Sequence, residues 1–405
     1  MKRVLSLSLI ASSMLMAGGY KIPETSLNGV ALSAANIAHN KSADAAYYNP
    51  ANMVFMEDKN NIELDLTYIG LDPVSYNGKV TATNVDLDSE RESFIVPTIH
   101  YVSGKAGEAR IGLSIVSPGG LSKRWTESPA SKSAEEFTLK VIEINPTFAI
   151  PVGEKVALAF GFRIVHSEGV VKATPSPGAV YQDMTGDSID YGYNLALAYK
   201  PTSDIDVALT YRSQVNLTVE GSADLYYAPG GLVPKGNYEA SVNIPLPATA
   251  SAALAYTLPS KTTVEFVYER NMWSAYKNLD FDYTNASAEA VFGTSKSKDW
   301  KDTNAFRLGL TQELDNMTLM AGMVYDESPV PSKTLGFELP DSNSLSVSLG
   351  GRYEINDKIE VGLSALYSMR ETRKIETNDA NDNNLVGEFT NANVLMISTG
   401  VSYKF

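Results

Sequence analysis

No cysteine occurs among the 405 residues, and histidine occurs only three times. In an exported chain the first absence excludes a disulfide framework and lipid attachment through an N-terminal Cys. The second leaves little material for a metal site or a histidine-based nucleophile, since His39, His100 and His166 are far apart in sequence. No motif sets a Ser and a polar orienting group beside His100 or His166. No catalytic residue and no metal ligand is therefore assigned, and no cofactor is expected. Basic charge is also short: 33 Lys and Arg against 47 Asp and Glu leave a net charge of −14. Nucleic acid is excluded as a partner on that count, because phosphate binding needs a basic footprint. No stretch approaches twenty consecutive apolar residues, which excludes a bundle of membrane-spanning helices. A membrane β-barrel is untouched by that absence, because its strands need apolar residues only at alternate positions.

What is present begins with Lys2 and Arg3, the apolar run 4–16, and the small residues Ala17, Gly18 and Gly19. This order is that of a secretory signal peptide, expected to span residues 1–17. Residues 18–58 follow, rich in Ala, Asn and Ser, with only a short helical apolar pattern and nothing that reads as a strand. Within them Asn49-Pro50-Ala51 reads as a helix start: Asn is a good N-cap, and Pro suits the first helical position, where its missing N–H is no loss.

From residue 59 to 405 the apolar runs alternate with period two. Leu345, Val347, Leu349, Tyr353 and Ile355 share one parity, and Ser346, Ser348, Gly350, Arg352 and Glu354 the other. Tyr191, Tyr193, Leu195, Leu197 and Tyr199 likewise oppose Gly192, Asn194, Ala196 and Ala198. Such alternation puts one set on lipid and the other in a lumen, and Tyr at the ends of these runs suits the interfacial girdle. About fourteen strands are predicted, at 60–71, 91–103, 108–118, 136–151, 154–173, 187–200, 203–221, 238–258, 261–284, 299–314, 316–329, 342–355, 358–376 and 388–405. Tight turns (104–107, 152–155, 201–204, 259–261, 314–317, 356–358) alternate without exception with longer polar loops (72–90, 119–135, 174–186, 222–236, 285–298, 330–341, 377–387). An up-and-down transmembrane barrel has this pattern, with short turns on one rim and long loops on the other. The fold expected is all-β: an antiparallel membrane barrel over residues 59–405, with residues 18–58 as a hatch plugging its lumen. The closing segment Val401-Ser402-Tyr403-Lys404-Phe405, apolar at alternate positions with a terminal aromatic, resembles the signal read by the barrel assembly machinery of the bacterial outer membrane.

Three segments carry a resemblance to a known family: Asn49-Pro50-Ala51 in the hatch, Ala208-Leu209-Thr210-Tyr211-Arg212-Ser213, and Asp326-Glu327-Ser328-Pro329-Val330-Pro331 followed by Leu339-Pro340-Asp341. Weaker echoes are Trp273-Ser274 and Trp300-Lys301-Asp302. With these the chain resembles the FadL/TodX outer-membrane transporters of long-chain fatty acids and other hydrophobic compounds, from about Gly19 to Phe405. The resemblance implies a monomeric fourteen-stranded barrel in outer-membrane lipid and lipopolysaccharide, carrying a hydrophobic small molecule. It also implies an N-terminal tip, here Tyr20 and Ile22, that reaches into the lumen and contributes to the ligand pocket, and a kinked third strand that opens the wall sideways. The matching place is Ser117-Pro118-Gly119-Gly120-Leu121. Pro cannot donate to a ladder and Gly often marks a bulge; the alternative is that Pro118-Gly119 simply begins the extracellular loop. Leu121 and Trp125 suit a first apolar landing site outside.

Fatty-acid members of the family tend to present basic side chains from the fifth and ninth strands, where an ungapped reading places Glu168 and Asp280. Carboxylates there would repel an ionised fatty acid. Either Lys172 or Lys277 takes over, or the ligand is neutral, or the register is shifted. Outside the family, a general diffusion porin or a structural or adhesin barrel is the alternative function. Porins commonly narrow their lumen with an inward loop, whereas here the filler is N-terminal.

Overall fold

The computed structural model describes residues 18–405; the expected signal peptide, 1–17, lies outside the described residues. Fourteen antiparallel strands form one closed sheet. They are β1 (Asn61–Leu71), β2 (Glu92–Val102), β3 (Arg110–Val116 and Gly120–Arg124), β4 (Glu136–Pro151), β5 (Val156–Ser176), β6 (Val180–Tyr199) and β7 (Ile205–Arg212 and Val215–Tyr227). The remainder are β8 (Val233–Leu246 and Ala248–Thr257), β9 (Thr262–Met272 and Phe281–Tyr283), β10 (Thr303–Glu313), β11 (Met317–Asp326), β12 (Ser344–Asn356), β13 (Ile359–Arg370) and β14 (Val394–Lys404). Four of them are interrupted once, so the sheet contains 18 ladder segments. Closure comes from β1, which pairs with β14 from Asn61↔Lys404 to Leu71↔Val394 and with β2 from Asn61↔Val102 to Leu71↔Glu92.

Alternation sets the two faces of the wall. On β1, Leu64, Leu66 and Tyr68 point outward and are exposed, while Glu63, Asp65 and Thr67 point inward and are buried. An apolar exterior around a polar, filled interior belongs in a bilayer, where every wall N–H must be bonded within the sheet. Among the described residues no helix is long and apolar enough to cross a membrane.

The lumen is filled by residues 18–56, and residues 57–59 are exposed where the chain enters β1. Helix α1 (Leu27–Ala31) starts at Ser26, whose Oγ accepts the Gly29 N–H at 2.9 Å and donates to Asp44 at 2.7 Å. Helix α2 (Ala45–Tyr48) leads into a 3₁₀ turn, Pro50–Phe55. Asn49 caps that turn, accepting the Ala51 N–H at 3.1 Å, with Pro50 first in the turn as the motif predicts. Asn49 and Asn52 also both donate to the Ile37 carbonyl, at 3.0 and 2.9 Å, so the motif folds the hatch back on itself. The wall makes room with small residues: Ala149, Ala157, Ala159, Ala196 and Ala198 pack around Ala46, Ala51 and Met53. At Gly322 a Cβ would stand 2.2 Å from the Leu32 backbone, so only glycine admits the hatch there.

Several connections differ from expectation. The loops expected at 174–186 and 222–236 shrink to residues 177–179 and 228–232, because β5 to β8 run on as a hairpin arm. Beyond the hydrocarbon layer the outward face need not be apolar, so the alternation that marks a strand is lost while the ladder continues. The stretch 72–90 is a hairpin, Ser75–Val80 with Thr83–Asp88, joined by Leu385–Thr390 and Arg373–Ile375 into a four-stranded sheet over the same rim. Accordingly β13 stops at Arg370 and β14 starts at Val394, both short of the predicted bounds.

Candidate functional site

The site forms where β3 breaks. Both halves of β3 pair with β4, from Arg110↔Ala149 to Val116↔Glu143 and from Gly120↔Lys140 to Arg124↔Glu136. Three β3 residues, 117–119, thus stand opposite two on β4, a bulge at the Pro and Gly that signalled one. Towards β2 the ladder covers only four pairs, Ile99↔Ile115 to Val102↔Gly112. Residues 93–98 of β2 pair with β1 but have no ladder partner on the β3 side among the described residues. Above this gap the strands meet again: Glu90 N–H donates to the Arg124 carbonyl at 2.9 Å, and Ser122 Oγ donates to the Glu92 carboxylate.

The hatch tip takes up the hydrogen bonds that the bulge leaves free. Ile22 N–H donates to the Pro118 carbonyl at 2.9 Å, and Gly120 N–H donates to the Tyr20 carbonyl at 2.8 Å. Gly119 bridges Lys21, and a Cβ on Gly119 would stand 3.0 Å from the Tyr20 carbonyl oxygen. Tyr20 and Ile22 are both buried. The Tyr20 ring lies 4.7 Å from Trp273 and 5.6 Å from Trp300 between centroids, and its hydroxyl donates to the Pro245 carbonyl. Lys21 pairs with Glu269 at 2.7 Å, and Glu269 with Arg307 at 3.1 Å. A tip with little structure of its own is expected to hold by few contacts; this one is clamped on three sides.

The family-like segments converge on the tip and hatch. Trp273 and Trp300 meet at 5.0 Å, and Asp302 accepts the Ser274 N–H at 2.9 Å, which joins the two tryptophan motifs. Asp341 accepts from Ser328 Oγ at 2.6 Å, from the Gly19 N–H at 3.3 Å and from Arg370. Arg212 reaches Glu143 and stacks its guanidinium 4.2 Å above the Tyr47 ring of the hatch.

Three adjoining cavities lie between the tip and the outside. An outer lobe of about 440 Å³ is lined by Val171, Phe281, Lys296, Lys298, Glu338 and Asn383 among others. A tip lobe of about 20 Å³ lies among Tyr20, Leu121, Leu139, Tyr276 and Trp300. A side lobe of about 30 Å³ lies among Met184, Val219, Val242 and Ile244. Lys298 is paired with Glu338. Burial raises the Glu338 carboxyl, but the Lys298 ammonium outweighs it and holds the group below its usual range. Lys296 lines the same lobe, exposed, with no carboxylate at salt-bridge distance among the described residues.

Several predicted residues lie elsewhere. Glu168 is on the outward parity of β5, half exposed, near Lys140 and His166 at 3.8 and 3.6 Å. Lys172 is also outside, between Glu136 and Asp183. Asp280 is half-buried between Leu279 and Phe281, which line the outer lobe, but is not itself part of the lining. Lys277 is exposed. The ungapped register thus misplaces both carboxylates: the one on β5 falls on the wrong face of a period-two strand, and the other falls where β9 is interrupted. Trp125 is no outer landing site. It is fully buried, donates Nε1–H to the Phe337 carbonyl at 2.8 Å and packs on the Phe337 ring at 5.0 Å. Leu121 is buried too and lines the tip lobe. Sequence reading missed Lys296, Lys298 and Glu338, which sit in connections read as solvated loops.

The family model described as "Outer membrane protein transport protein (OMPP1/FadL/TodX)" matches residues 8–405. The chain belongs to that family. As a member of the FadL/TodX family it is an outer-membrane protein of the transport class. Among curated relatives, the long-chain fatty acid transport protein of Salmonella typhi is 25% identical over 408 residues, covering 90% of this chain and 91% of the relative. A solved structure of a Pseudomonas aeruginosa FadL homologue superposes with TM-score 0.83 at 19% identity, covering 95% of this chain and 99% of that one. The toluene transporter TodX of P. putida superposes with TM-score 0.71 at 17% identity, covering 93% and 98%. Both likenesses extend over barrel and hatch alike, so the fold is that of these FadL/TodX transporters.

Proposed function

We propose that this barrel carries long-chain fatty acids or similarly hydrophobic compounds across the outer membrane, by way of the inner lobes and a lateral opening between β2 and β3. An apolar solute that leaves lipid for water loses about 0.8 kcal/mol per CH₂, so a water-filled pore is of no help to it. A dry relay through the wall avoids that cost. The observation that carries the reading is the β2–β3 gap, with its free edge bonded to the N-terminal tip rather than to a strand. The outer lobe suits an amphiphile: apolar side chains lie beside Lys296, which can meet one carboxylate. The names of relatives supply both ligand classes, fatty acid in one and toluene in the other. With Glu168 on the outer face, the argument from luminal repulsion against an ionised ligand falls. The barrel acts as a monomer in lipopolysaccharide and reaches the membrane through the assembly machinery that reads its last strand.

The test is to seal the wall. Pro118→Val, Gly119→Thr and Gly120→Val together favour flat pairing and are expected to stop uptake of labelled oleate in cells while the barrel still folds and shows heat-modifiable migration. Gly119→Ala alone, which sets the same Cβ against the Tyr20 carbonyl without the β-branched side chains that favour pairing, controls for pressure on the tip. Normal oleate uptake by the sealed barrel would overturn the lateral route, and uptake of small sugars at porin rates would favour a diffusion channel.

A further inference from the structure

Phe137 is the side chain common to all three lobes. It is buried on the inward face of β4, paired in register with Lys123 on the second half of β3; two residues on, Leu139 pairs with Leu121. Ile244, on β8, is shared by the tip and side lobes only. Phe137 and Ile244 together therefore form the partition between the two apolar lobes, and Phe137 alone also faces the outer lobe. The tip lobe, mostly apolar with the Lys298–Glu338 pair at its lining, and the side lobe, at about 20 and 30 Å³, are each little more than the space of one or two water-sized probes. The outer lobe, at about 440 Å³, leaves the ring free volume on that side alone.

We infer that Phe137 is a specificity-determining residue: it keeps the inner apolar space divided into two slim lobes that pass a straight hydrocarbon chain and refuse a fused ring system. A polymethylene chain is one methylene wide and follows a single lobe. A rigid bicyclic needs both lobes at once, which requires the Phe137 ring to swing into the outer lobe and stay there. A staggered-rotamer change is cheap on an exposed residue, but Phe137 is buried, and the change gives up its place in the apolar core it belongs to. Phe137 is on the strand paired with the bulged one, and it lines the same lobe as Leu121 at the wall gap. This inference rests on the proposed transport of hydrophobic compounds and adds a rule for which shapes are admitted.

Purified full-length barrel in amphipol supplies the test. Trp273 and Trp300, two of the three tryptophans, stand against the tip, so their fluorescence reports filling of the tip lobe. Oleate and naphthalene are titrated into wild type, Phe137→Ala, Phe137→Leu and Ile244→Ala. Phe137→Ala is expected to tighten naphthalene binding at least fivefold while oleate changes less than twofold. Phe137→Leu, which keeps more of the packing and checks against misfolding, is expected to give a smaller shift of the same sign, as is Ile244→Ala. Heat-modifiable migration verifies each fold. Naphthalene and oleate affinities that move together, or stay within twofold of wild type in all three folded variants, would overturn the inference and leave the transport reading standing. Wild type that binds neither probe would overturn both.

Discussion

The Ile22 N–H donates to the Pro118 carbonyl at 2.9 Å, joining the tip of the hatch to the bulge in β3 beside the stretch where β2 has no partner on that side. Pro118 has no N–H to offer, and its carbonyl has no partner in the wall ladder. The tip satisfies it, as a strand would in an unbroken sheet. The hatch tip and the bulge beside the β2–β3 gap are thereby joined by backbone bonds, which no side-chain substitution on the tip removes outright.

Deleting residues 18–22 is expected to remove this strap and the Tyr20 ring from its Trp273–Trp300 cage. Ligand retention by purified protein should fall severalfold, while the barrel keeps its heat-modifiable migration, because Glu269 remains paired with Arg307. Unchanged retention would show that the tip does not help form the ligand pocket.

Glu265 on β9 accepts three consecutive hatch N–H groups, from Ile37 and Ala38 at 2.7 Å each and from His39 at 3.0 Å. Each hydrogen bond to a carboxylate contributes about 1.5–3 kcal/mol. Glu265→Ala is expected to raise amide exchange at residues 37–39 by one to two orders of magnitude, and to leave exchange in β9 and β10 unchanged. Equal protection in the variant would mean that the hatch is held elsewhere.

His39 adds a pH-dependent part to that anchor. Its Nδ1 lies 2.6 Å from Asp206, and Nε2 lies 4.0 Å from Glu313; Lys41 and Lys200 stand on the same carboxylates. Burial draws the imidazolium down, but the bond to Asp206 and the neighbouring Glu313 carboxylate outweigh it, so the pKa is raised above the ordinary 6.5. A raised value means that the contribution is complete below pH 6.5 and is lost as pH rises through the folded pKa. In planar bilayers, openings of the barrel are expected to become more frequent on the alkaline side, with His39→Gln removing the dependence.

Trp125→Ala tests a correction. A buried Trp lost to a cavity costs about 3–5 kcal/mol. The expected effect is faster proteolysis of the outer connections around Phe337, with ligand capture affected only as the roof loosens. Capture abolished with the roof intact would restore the landing-site role.

The fourteen strands were legible because lipid demands apolar residues at alternate positions, as in Leu345, Val347 and Leu349. Where the ladder rises above lipid that demand ends, and the outer parts of β5 to β8 read as loops. The Pro118-Gly119 signal was legible because both residues act through their own backbone. Glu168 and Trp125 were misread for a different reason. The face of a residue on a long strand, or its burial under a roof of distant loops, depends on register and on contacts hundreds of residues away. Trp125 rests on Phe337. Phe137 carried no signal at all, since one aromatic at an inward position looks like any other.

The lateral route is tested most directly by letting the ligand mark its own path. A photoreactive diazirine analogue of oleate, taken up by cells and activated by light, is cross-linked to the barrel, and the labelled peptides are mapped by mass spectrometry. Labels are expected on both edges of the gap, in residues 93–98 of β2 and 116–121 of β3, together with Tyr20. Labels confined to the cavity on the short-turn rim, around Asn36, Thr318 and Arg352, with none on the gap, would show passage along the axis and contradict the account.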